Sequence, residues 1–289
     1  MYENIFSRGV TGNLIAFWKN IMKIHLAGTL SRPFVIEESM KVYIAGGNIG
    51  YKWAGDYNNE IINNKPYILE SYYYIKNNNE WIIKMRPYFK DFLLDSGAFT
   101  YMSGKGDKVD WNKYIEQYAD FIKTHDVDYY FELDIDSIVG YDKVKQLRRK
   151  LETLTNKPCI PVWHKSRGLD EFKKMAKDYD YIAIGGIVTQ EIKRTEYDIF
   201  KPLLKIAKEN NCKVHGLGFT NLKGLHKYKF YSVDSTAWLY GNRGGYLYKF
   251  NGKTIDKIQP KNMRLKGREA ALHNFQEWLK FSQYAEQNL

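Results

Sequence analysis

Short apolar runs alternate with amphipathic stretches along most of the chain. Most of these runs are followed by a small or acidic residue, and a segment with helical spacing follows most of them. Continuous apolar runs of this length are typical of buried parallel strands. The predicted strands are 42–45, 92–94, 129–131, 160–163, 181–184, 213–215 and 230–233.

The segments between these runs show the 3.6-residue period of amphipathic helices. The first follows Asp110, which is expected to cap a helix because its carboxylate accepts from unpaired backbone N–H groups. We interpret the apolar stripes as packing faces. They are Trp111, Tyr114, Ile115, Tyr118, Phe121 and Ile122; Val144, Leu147, Leu151 and Leu154; Phe172, Met175 and Ala176; Phe200, Leu203, Leu204 and Ala207; and, in a last helix over 269–286, Leu272, Phe275, Trp278 and Leu279.

This succession of strands and helices predicts an α/β fold, a (β/α)₈ TIM-type barrel without a zinc subdomain. We expect a single domain over 1–289. Residues 58–86, rich in Asn, Tyr and Lys, are interpreted as an insertion after the first strand. The eighth strand is placed at 245–250, and a helical basic tail at 251–289.

Composition places the chain among ordinary globular proteins, with 44% hydrophobic and 27% charged residues in 289. No apolar run is long enough to predict a membrane span, and the first residues lack the apolar region of a signal peptide. Cys159 and Cys212 lie within apolar runs, which favours a reduced protein over a disulfide scaffold. A cytoplasmic location is expected.

A net charge of +11, from 44 Lys+Arg against 33 Asp+Glu, favours a polyanionic partner. The alternative is a bias toward Lys, Asn, Ile and Tyr, the residues of A/T-rich codons. An aromatic content of 16% supports the first interpretation, because aromatic side chains stack on nucleic-acid bases.

Acidic side chains follow several of the predicted strands, at the barrel end where active sites lie. Asp95 follows 92–94, and Asp234 follows 230–233. Two opposed carboxylates can displace a group at an anomeric carbon, one attacking and the other protonating the leaving group. The alternative is that each aspartate caps the following turn or helix.

Three more acids, Glu132, Asp134 and Asp136, alternate and so share one side of an extended segment. Like charges in this arrangement need solvent, a cation or hydrogen-bond donors. One interpretation is a metal site completed by His164 and His215. Others are recognition of a purine N–H edge, favoured for Asp134, and ordinary pairing with Lys or Arg.

Two glycines, an aromatic residue and a histidine are further candidates at the rim. Gly185 and Gly186 would let the backbone approach a planar ligand closely, or would serve only a tight turn. Phe99 could stack on a base, with core packing as the alternative. His215 is either a ligand or an ordinary residue at a strand end.

Four ordered motifs resemble those of the tRNA-guanine transglycosylase superfamily. They are Leu94-Asp95-Ser96-Gly97-Ala98-Phe99, Ala183-Ile184-Gly185-Gly186, Val214-His215-Gly216-Leu217-Gly218 and Ser232-Val233-Asp234-Ser235. They occur in the family's order and span the region from Val42 to Arg243. The resemblance implies a pentosyltransferase of the guanine transglycosylase type.

The resemblance also implies roles for individual residues. Asp234 would attack C1′ and form a covalent glycosyl-enzyme, Asp95 would serve as general acid and base, and Arg243 would bind phosphate. The residues expected to bind the base are Asp134, Ser96, Phe99, Gly185, Gly186 and His215.

One departure from the family pattern concerns the substrate. Members that act on tRNA carry a Cys/His zinc site after the nucleophile, and here no cysteine follows Cys212. The chain is therefore more similar to smaller relatives, found in phages and genomic islands, that place 7-deazaguanines in DNA. The expected partners are DNA and a 7-deazaguanine such as preQ0, with no cofactor and no metal.

Alternative functions remain open at this point. They are a tRNA-guanine transglycosylase, a metal-dependent barrel hydrolase using Asp134, Asp136, His164 and His215, and a basic barrel that only binds nucleic acid. The assembly state, including a homodimer, is left open.

Overall fold

Eight parallel strands form one sheet in the computed structural model of the chain, which describes residues 39–46, 54–101, 109–219, 221–239, 245–259 and 266–289. The strands are β1 Lys41–Ala45, β2 Tyr67–Ser71, β3 Asp91–Asp95, β4 Tyr129–Tyr130, β5 Val162–Trp163, β6 Tyr181–Ile184, β7 Lys213–Gly216 and β8 Ser232–Ser235. Their order is β4-β3-β2-β1-β8-β7-β6-β5, so strands consecutive along the chain lie side by side.

The sheet curls so that its two end strands approach each other. Beyond β4, Phe131 forms a parallel bridge with Ile160, which precedes β5. The backbone N–H of Glu132 donates to the Ile160 carbonyl at 3.1 Å, and the Ile160 N–H donates to the Tyr130 carbonyl at 2.8 Å. These bonds pair backbone groups at the sheet ends.

Helices follow most of the strands. They are α1 Asn58–Asn64, α2 Tyr72–Ile75, α3 Glu80–Met85, α4 Trp111–Thr124, α5 Asp136–Val139, α6 Tyr141–Thr155, α7 Gly168–Asp178, α8 Phe200–Glu209, α9 Leu222–Leu225 and α10 Gly267–Asn288. A two-stranded antiparallel ribbon, β9 Leu247–Phe250 and β10 Ile255–Ile258, precedes α10. No helix among the described residues is long and apolar enough to cross a membrane.

Alternate residues of β1, β2, β3, β5 and β6 contribute to two different hydrophobic clusters, as the two-residue period of a strand requires. The larger cluster lies between the sheet and its helices and includes Val42, Ile44 and Ile182. The smaller cluster lies on the opposite face of the sheet and is built from Tyr43, Ala45, Tyr67, Leu69, Leu93, Phe131, Ile160, Val162, Tyr181 and Ala183.

The predicted α/β class is confirmed, and all seven predicted strands overlap observed ones. The capping prediction is also confirmed, since Asp110 Oδ1 accepts from the N–H groups of Asn112 at 3.0 Å and Lys113 at 3.1 Å. The predicted stripes on α4, α6, α7, α8 and α10 are buried, except that Leu154, Leu204 and Leu272 are only partly so.

Two strand predictions are wrong. Residues 58–86 are not a simple insertion, because they contain β2, which lies between β1 and β3 in the sheet. Residues 245–250 do not supply the eighth parallel strand, because β9 pairs only with β10 in the antiparallel ribbon. The predicted helical tail over 251–289 accordingly contains the strand β10 before its helix α10. Every described residue belongs to one compact unit, Ser39–Leu289.

Candidate active site

The C-terminal ends of the parallel strands bring the predicted rim acids to one edge of the sheet. Asp95 is the last residue of β3, and Asp234 is the third residue of β8. The two aspartates lie close enough for the charge of Asp234 to affect the pKa of Asp95. The structure therefore brings both candidate catalytic carboxylates into one site.

Asp95 is a partly buried carboxyl with two donors of its own. Its Oδ2 accepts from the Gly97 N–H at 2.9 Å, and Ser71, its neighbour in register on β2, also donates to it. Burial raises the pKa of Asp95 to about 6, and the charges of Asp234 and Asp134 add to the rise, whereas these two hydrogen bonds oppose it. Such a carboxyl exchanges a proton near neutral pH.

The turn after Asp95 requires glycine. Gly97 has a φ of +77°, and a Cβ at this position would lie 2.4 Å from the Cβ of Tyr73. Both the backbone conformation and the space exclude other residues, since L side chains rarely adopt this φ. The turn aims the Gly97 amide back at the Asp95 carboxylate.

Asp234 has a different environment, although its side chain is also largely buried. Its Oδ1 accepts from the Gly218 N–H at 2.6 Å and lies 3.2 Å from His215 Nε2. The two aspartates are thus set apart, one poised to carry a proton and the other supplied with donors, a contrast that in general marks acid/base assignments.

His164 connects two further carboxylates on the neighbouring part of the rim. Its Nε2 lies 2.7 Å from Asp134 Oδ1, and its Nδ1 lies 2.9 Å from Glu191 Oε2. Burial alone would lower the pKa of His164, but hydrogen bonds to both carboxylates and the charge of Asp134 raise it to about 9. An imidazolium at this position donates a hydrogen bond to each of the two carboxylates.

Gly185 and Gly186 accommodate this histidine and its partner. A Cβ on Gly185 would lie 2.8 Å from His164 Cε1, and one on Gly186, whose φ is +78°, would lie 2.7 Å from Glu191 Oε2. Packing against His164 and Glu191 is therefore sufficient reason for both glycines. Their contact with a base remains a prediction.

Glu132 and Asp136 pair with arginines. The fully buried Glu132 accepts from Arg148 Nε at 2.6 Å and from the Val162 N–H at 2.7 Å. Asp136 Oδ2 accepts from Arg167 Nε at 3.1 Å and from Arg167 Nη2 at 3.0 Å. For these two acids, pairing with arginine is the interpretation that the geometry supports.

Three residues of the predicted metal set do lie together. Asp134, Asp136 and His164 each offer a ligand atom, and these atoms all lie within 4.8 Å of one another. Arg167 already brings a positive charge there, with Nη2 at 3.0 Å from Asp136 and 3.9 Å from Asp134. The fourth predicted ligand, His215, instead contacts Ser232 and Asp234.

The remaining predicted residues differ in their surroundings. Phe99, just beyond β3, is 58% exposed, so it is available to contact a ligand. Ser96 is buried, and its Oγ lacks a hydrogen-bond partner among the described residues. Arg243 lies outside the described residues.

Several residues of the site were not predicted. Ser71 ends β2, the strand that the sequence pattern did not reveal. Glu191 and Arg167 lie in segments that follow β6 and β5, where no hydrophobic period marks a position as special. Comparison with protein-family models and with curated proteins gives no match for the chain, so function has to be inferred from the site.

Proposed function

We propose that the curled sheet is a closed (β/α)₈ barrel and that the chain exchanges guanine in DNA for a 7-deazaguanine such as preQ0. The closure is supported by the strand order and by the backbone hydrogen bonds between Ile160 and the segment after β4. The resemblance of the rim motifs to guanine transglycosylases supports the reaction.

The observation that carries the proposal is the contrast between the two carboxyls. Asp95 has a pKa near 6 because it is buried beside other acids. Asp234 accepts hydrogen bonds through Oδ1. A retaining exchange at an anomeric carbon needs this division, with one ionised nucleophile and one group that can both give and take a proton.

In the proposed reaction the target nucleotide first leaves the base stack, because its glycosidic bond is otherwise out of reach. Asp234 attacks C1′ and the C1′–N9 bond breaks, while Asp95 protonates the departing guanine. The 7-deazaguanine then gives its N9 proton to Asp95 and attacks C1′, which releases Asp234. One N-glycosidic bond replaces another, so the exchange requires no cofactor.

The base pocket would use the other rim residues. Asp134, whose Oδ1 lies 2.7 Å from His164 Nε2, would accept from the N1–H and 2-amino donors that guanine and 7-deazaguanines share. The exposed ring of Phe99 offers a stacking surface. The net charge of +11 favours a nucleic-acid substrate.

The test is release of labelled guanine. DNA and tRNA carrying radiolabelled guanine are incubated separately with the protein and unlabelled preQ0, and the released label is counted. We expect release from DNA, loss of release in Asp234→Asn and in Asp95→Asn, and normal release in Asp170→Asn, a matched control in which the acid is exposed on α7. Release only from tRNA would keep the chemistry and change the substrate, whereas release by Asp234→Asn would refute the nucleophile.

A metal-dependent hydrolase is the second candidate, favoured by the proximity of Asp134, Asp136 and His164. It requires a divalent cation beside the Arg167 guanidinium. Elemental analysis of the purified protein separates the two proposals. Stoichiometric metal that is lost in His164→Gln would favour the hydrolase, and its absence together with base exchange would exclude it.

A further inference from the structure

A row of buried polar side chains leads from the start of two strands to Asp234. The Tyr181 hydroxyl, on β6, lies 2.5 Å from the Ser232 Oγ on β8. Ser232 Oγ lies 2.6 Å from His215 Nδ1, and His215 Nε2 lies 3.2 Å from Asp234 Oδ1. Ser232 and His215 are both 0% exposed. Polar groups buried this deeply are stabilising only when each one is hydrogen-bonded.

The combination of Ser232, His215 and Asp234 has the residue types of a hydrolytic triad, but its placement excludes that role. A nucleophilic serine must reach its substrate, whereas Ser232 is fully buried at the beginning of β8, between Tyr181 and His215. The member of the row nearest the rim is Asp234. The row therefore acts on Asp234 and not on a substrate at Ser232.

The donors and acceptors available to each side chain determine which group donates in each hydrogen bond of the row. In the proposed reaction Asp234 acts as a carboxylate, which only accepts hydrogen bonds, so His215 Nε2 must donate. If Tyr181 donates to Ser232, then the Ser232 hydroxyl donates to His215 Nδ1, and the imidazole is the neutral tautomer with its proton on Nε2. Every group of the row is then satisfied without a buried cation.

We propose that Tyr181, Ser232 and His215 are positioning residues, which hold Oδ1 of Asp234 and leave Oδ2 to attack C1′. The role in attack rests on the proposed function. Oδ1 receives two donors, His215 Nε2 and the Gly218 N–H, whereas all the described hydrogen bonds to this carboxylate leave Oδ2 unused. Restricting the carboxylate to one attacking oxygen is the kind of orientation that lowers a barrier without new chemistry.

The tautomer can be tested without any activity. In protein labelled with ¹⁵N-histidine, two-bond ¹H–¹⁵N spectra distinguish the two neutral tautomers from the imidazolium, and the His215 signals are those that His215→Gln removes. We expect the Nε2-protonated form in the wild-type protein and a mixture of tautomers in Ser232→Ala, with the signals of the remote His226 unchanged. An imidazolium, or a proton on Nδ1, would overturn this assignment of donors.

Kinetics test the consequence for Asp234. His215→Leu removes the donor, whereas the amide of Gln can place one near the former Nε2. We expect kcat to fall roughly 10- to 150-fold in His215→Leu, the loss of one hydrogen bond to a charged group, with KM unchanged and much of the loss recovered in His215→Gln. Equal loss in both variants, or a change confined to KM, would refute a positioning role.

Two further readouts complete the design. Melting curves show whether each variant is folded. If His215→Leu does not fold, Ser232→Ala takes its place in the kinetic test. Reaction of Ser232 with a fluorophosphonate probe would overturn the inference, because it would show the serine to be an accessible nucleophile. Absence of base exchange in the wild-type protein would refute the proposed function, and the tautomer would still be decided by the spectra.

Discussion

At the scale of single residues, the raised pKa of Asp95 means that this carboxyl lowers the free energy of unfolding at neutral pH. In the unfolded chain this carboxyl titrates near 3.8, and in the folded protein near 6. Between these pH values the folded state binds more protons, so the free energy of unfolding falls as pH rises from about 4 to 6 and stays lower above that range.

We therefore expect Asp95→Asn to stabilise the protein at pH 7.5, by up to about 3 kcal/mol for a shift of two pKa units. The substitution should have little effect at pH 4, where Asp95 is protonated in the folded protein. Urea denaturation at both pH values measures the difference. Asp170→Asn, on an exposed acid, should show no such pH dependence; equal stability of Asp95→Asn and wild type at both pH values would contradict the expectation.

His164 should produce a slope in another pH window. Its folded-state pKa of about 9 lies above the unfolded value of 6.5. The stabilisation is fully present below pH 6.5 and is lost as pH rises through 9. Between pH 6 and pH 9.5 the free energy of unfolding of the wild type should fall by on the order of 2–3 kcal/mol, and that of His164→Gln should not show this fall. Urea denaturation at the two pH values measures both proteins. Parallel behaviour of the two proteins would mean that His164 is not held as a cation by Asp134 and Glu191.

The sequence reveals a residue of the site only where that residue lies at the end of an apolar run that predicts a strand. Asp95 and Asp234 can be recognised because each follows an apolar run. Ser71 and Glu191 cannot be recognised in this way, because each matters through a contact with a residue far along the chain. Ser71 donates to Asp95, 24 positions away, and Glu191 contacts His164, 27 positions away. Local patterns carry no information about such partners.

At the scale of secondary structure, one buried acid links the segment after β4 to the backbone of β5. Glu132 follows β4 and accepts from the backbone of Val162 at the start of β5. It also pairs with Arg148 and Arg167, whose side chains are 7% and 3% exposed. Removing the acid would leave buried guanidinium charge without this partner.

We expect Glu132→Ala to lower the free energy of unfolding by about 3–5 kcal/mol. The matched control is Glu116→Ala, because the pair between Lys150 and Glu116 has the same 2.6 Å separation as that between Arg148 and Glu132 but is exposed. Exposed pairs contribute less than about 1 kcal/mol. Urea denaturation compares the variants, and similar losses in both would show that burial does not set the strength of this pair.

The missed strand β2 illustrates the limit of hydrophobic patterns for whole elements. Its sequence, Tyr67-Ile68-Leu69-Glu70-Ser71, has only three apolar residues before a glutamate, and Asn- and Tyr-rich helices surround it. Glu70 is nevertheless buried, which a binary pattern counts as a break. Pairing within the sheet stabilises this strand, because β1 and β3 flank β2 on its two sides.

The segment after β3 contains Phe99, which we expect to contact DNA. Phe99, 58% exposed, lies near the proposed acid, whereas Tyr88, 40% exposed, precedes β3 at the opposite end of the strand. Loss of one base-stacking contact costs about 1–3 kcal/mol. In fluorescence anisotropy with labelled single-stranded DNA, Phe99→Ala should weaken binding about tenfold, and Tyr88→Ala should bind as wild type does. Equal binding by all three proteins would exclude Phe99 from the interface.

At the scale of the whole molecule, the surplus of basic residues has two explanations that make different predictions. If the net charge of +11 serves binding to nucleic acid, each phosphate contact releases counterions and affinity falls with salt. If the surplus only reflects amino-acid composition, salt should have little effect on the function of the site. The proposed free substrate, preQ0, is uncharged, so its binding provides an internal control.

The measurement uses Asp234→Asn, so that no base is exchanged while binding is followed. For three to five phosphate contacts on a single strand, raising the salt from 50 to 200 mM should weaken DNA binding roughly 20- to 130-fold. Binding of free preQ0 to the same variant should change little, because no phosphate is involved. A DNA affinity as insensitive to salt as that of the free base would separate the basic surface from the carboxylate site. The positive charge would then be a matter of composition, and the substrate would have to be sought among bases or nucleosides that are not part of a polyanion.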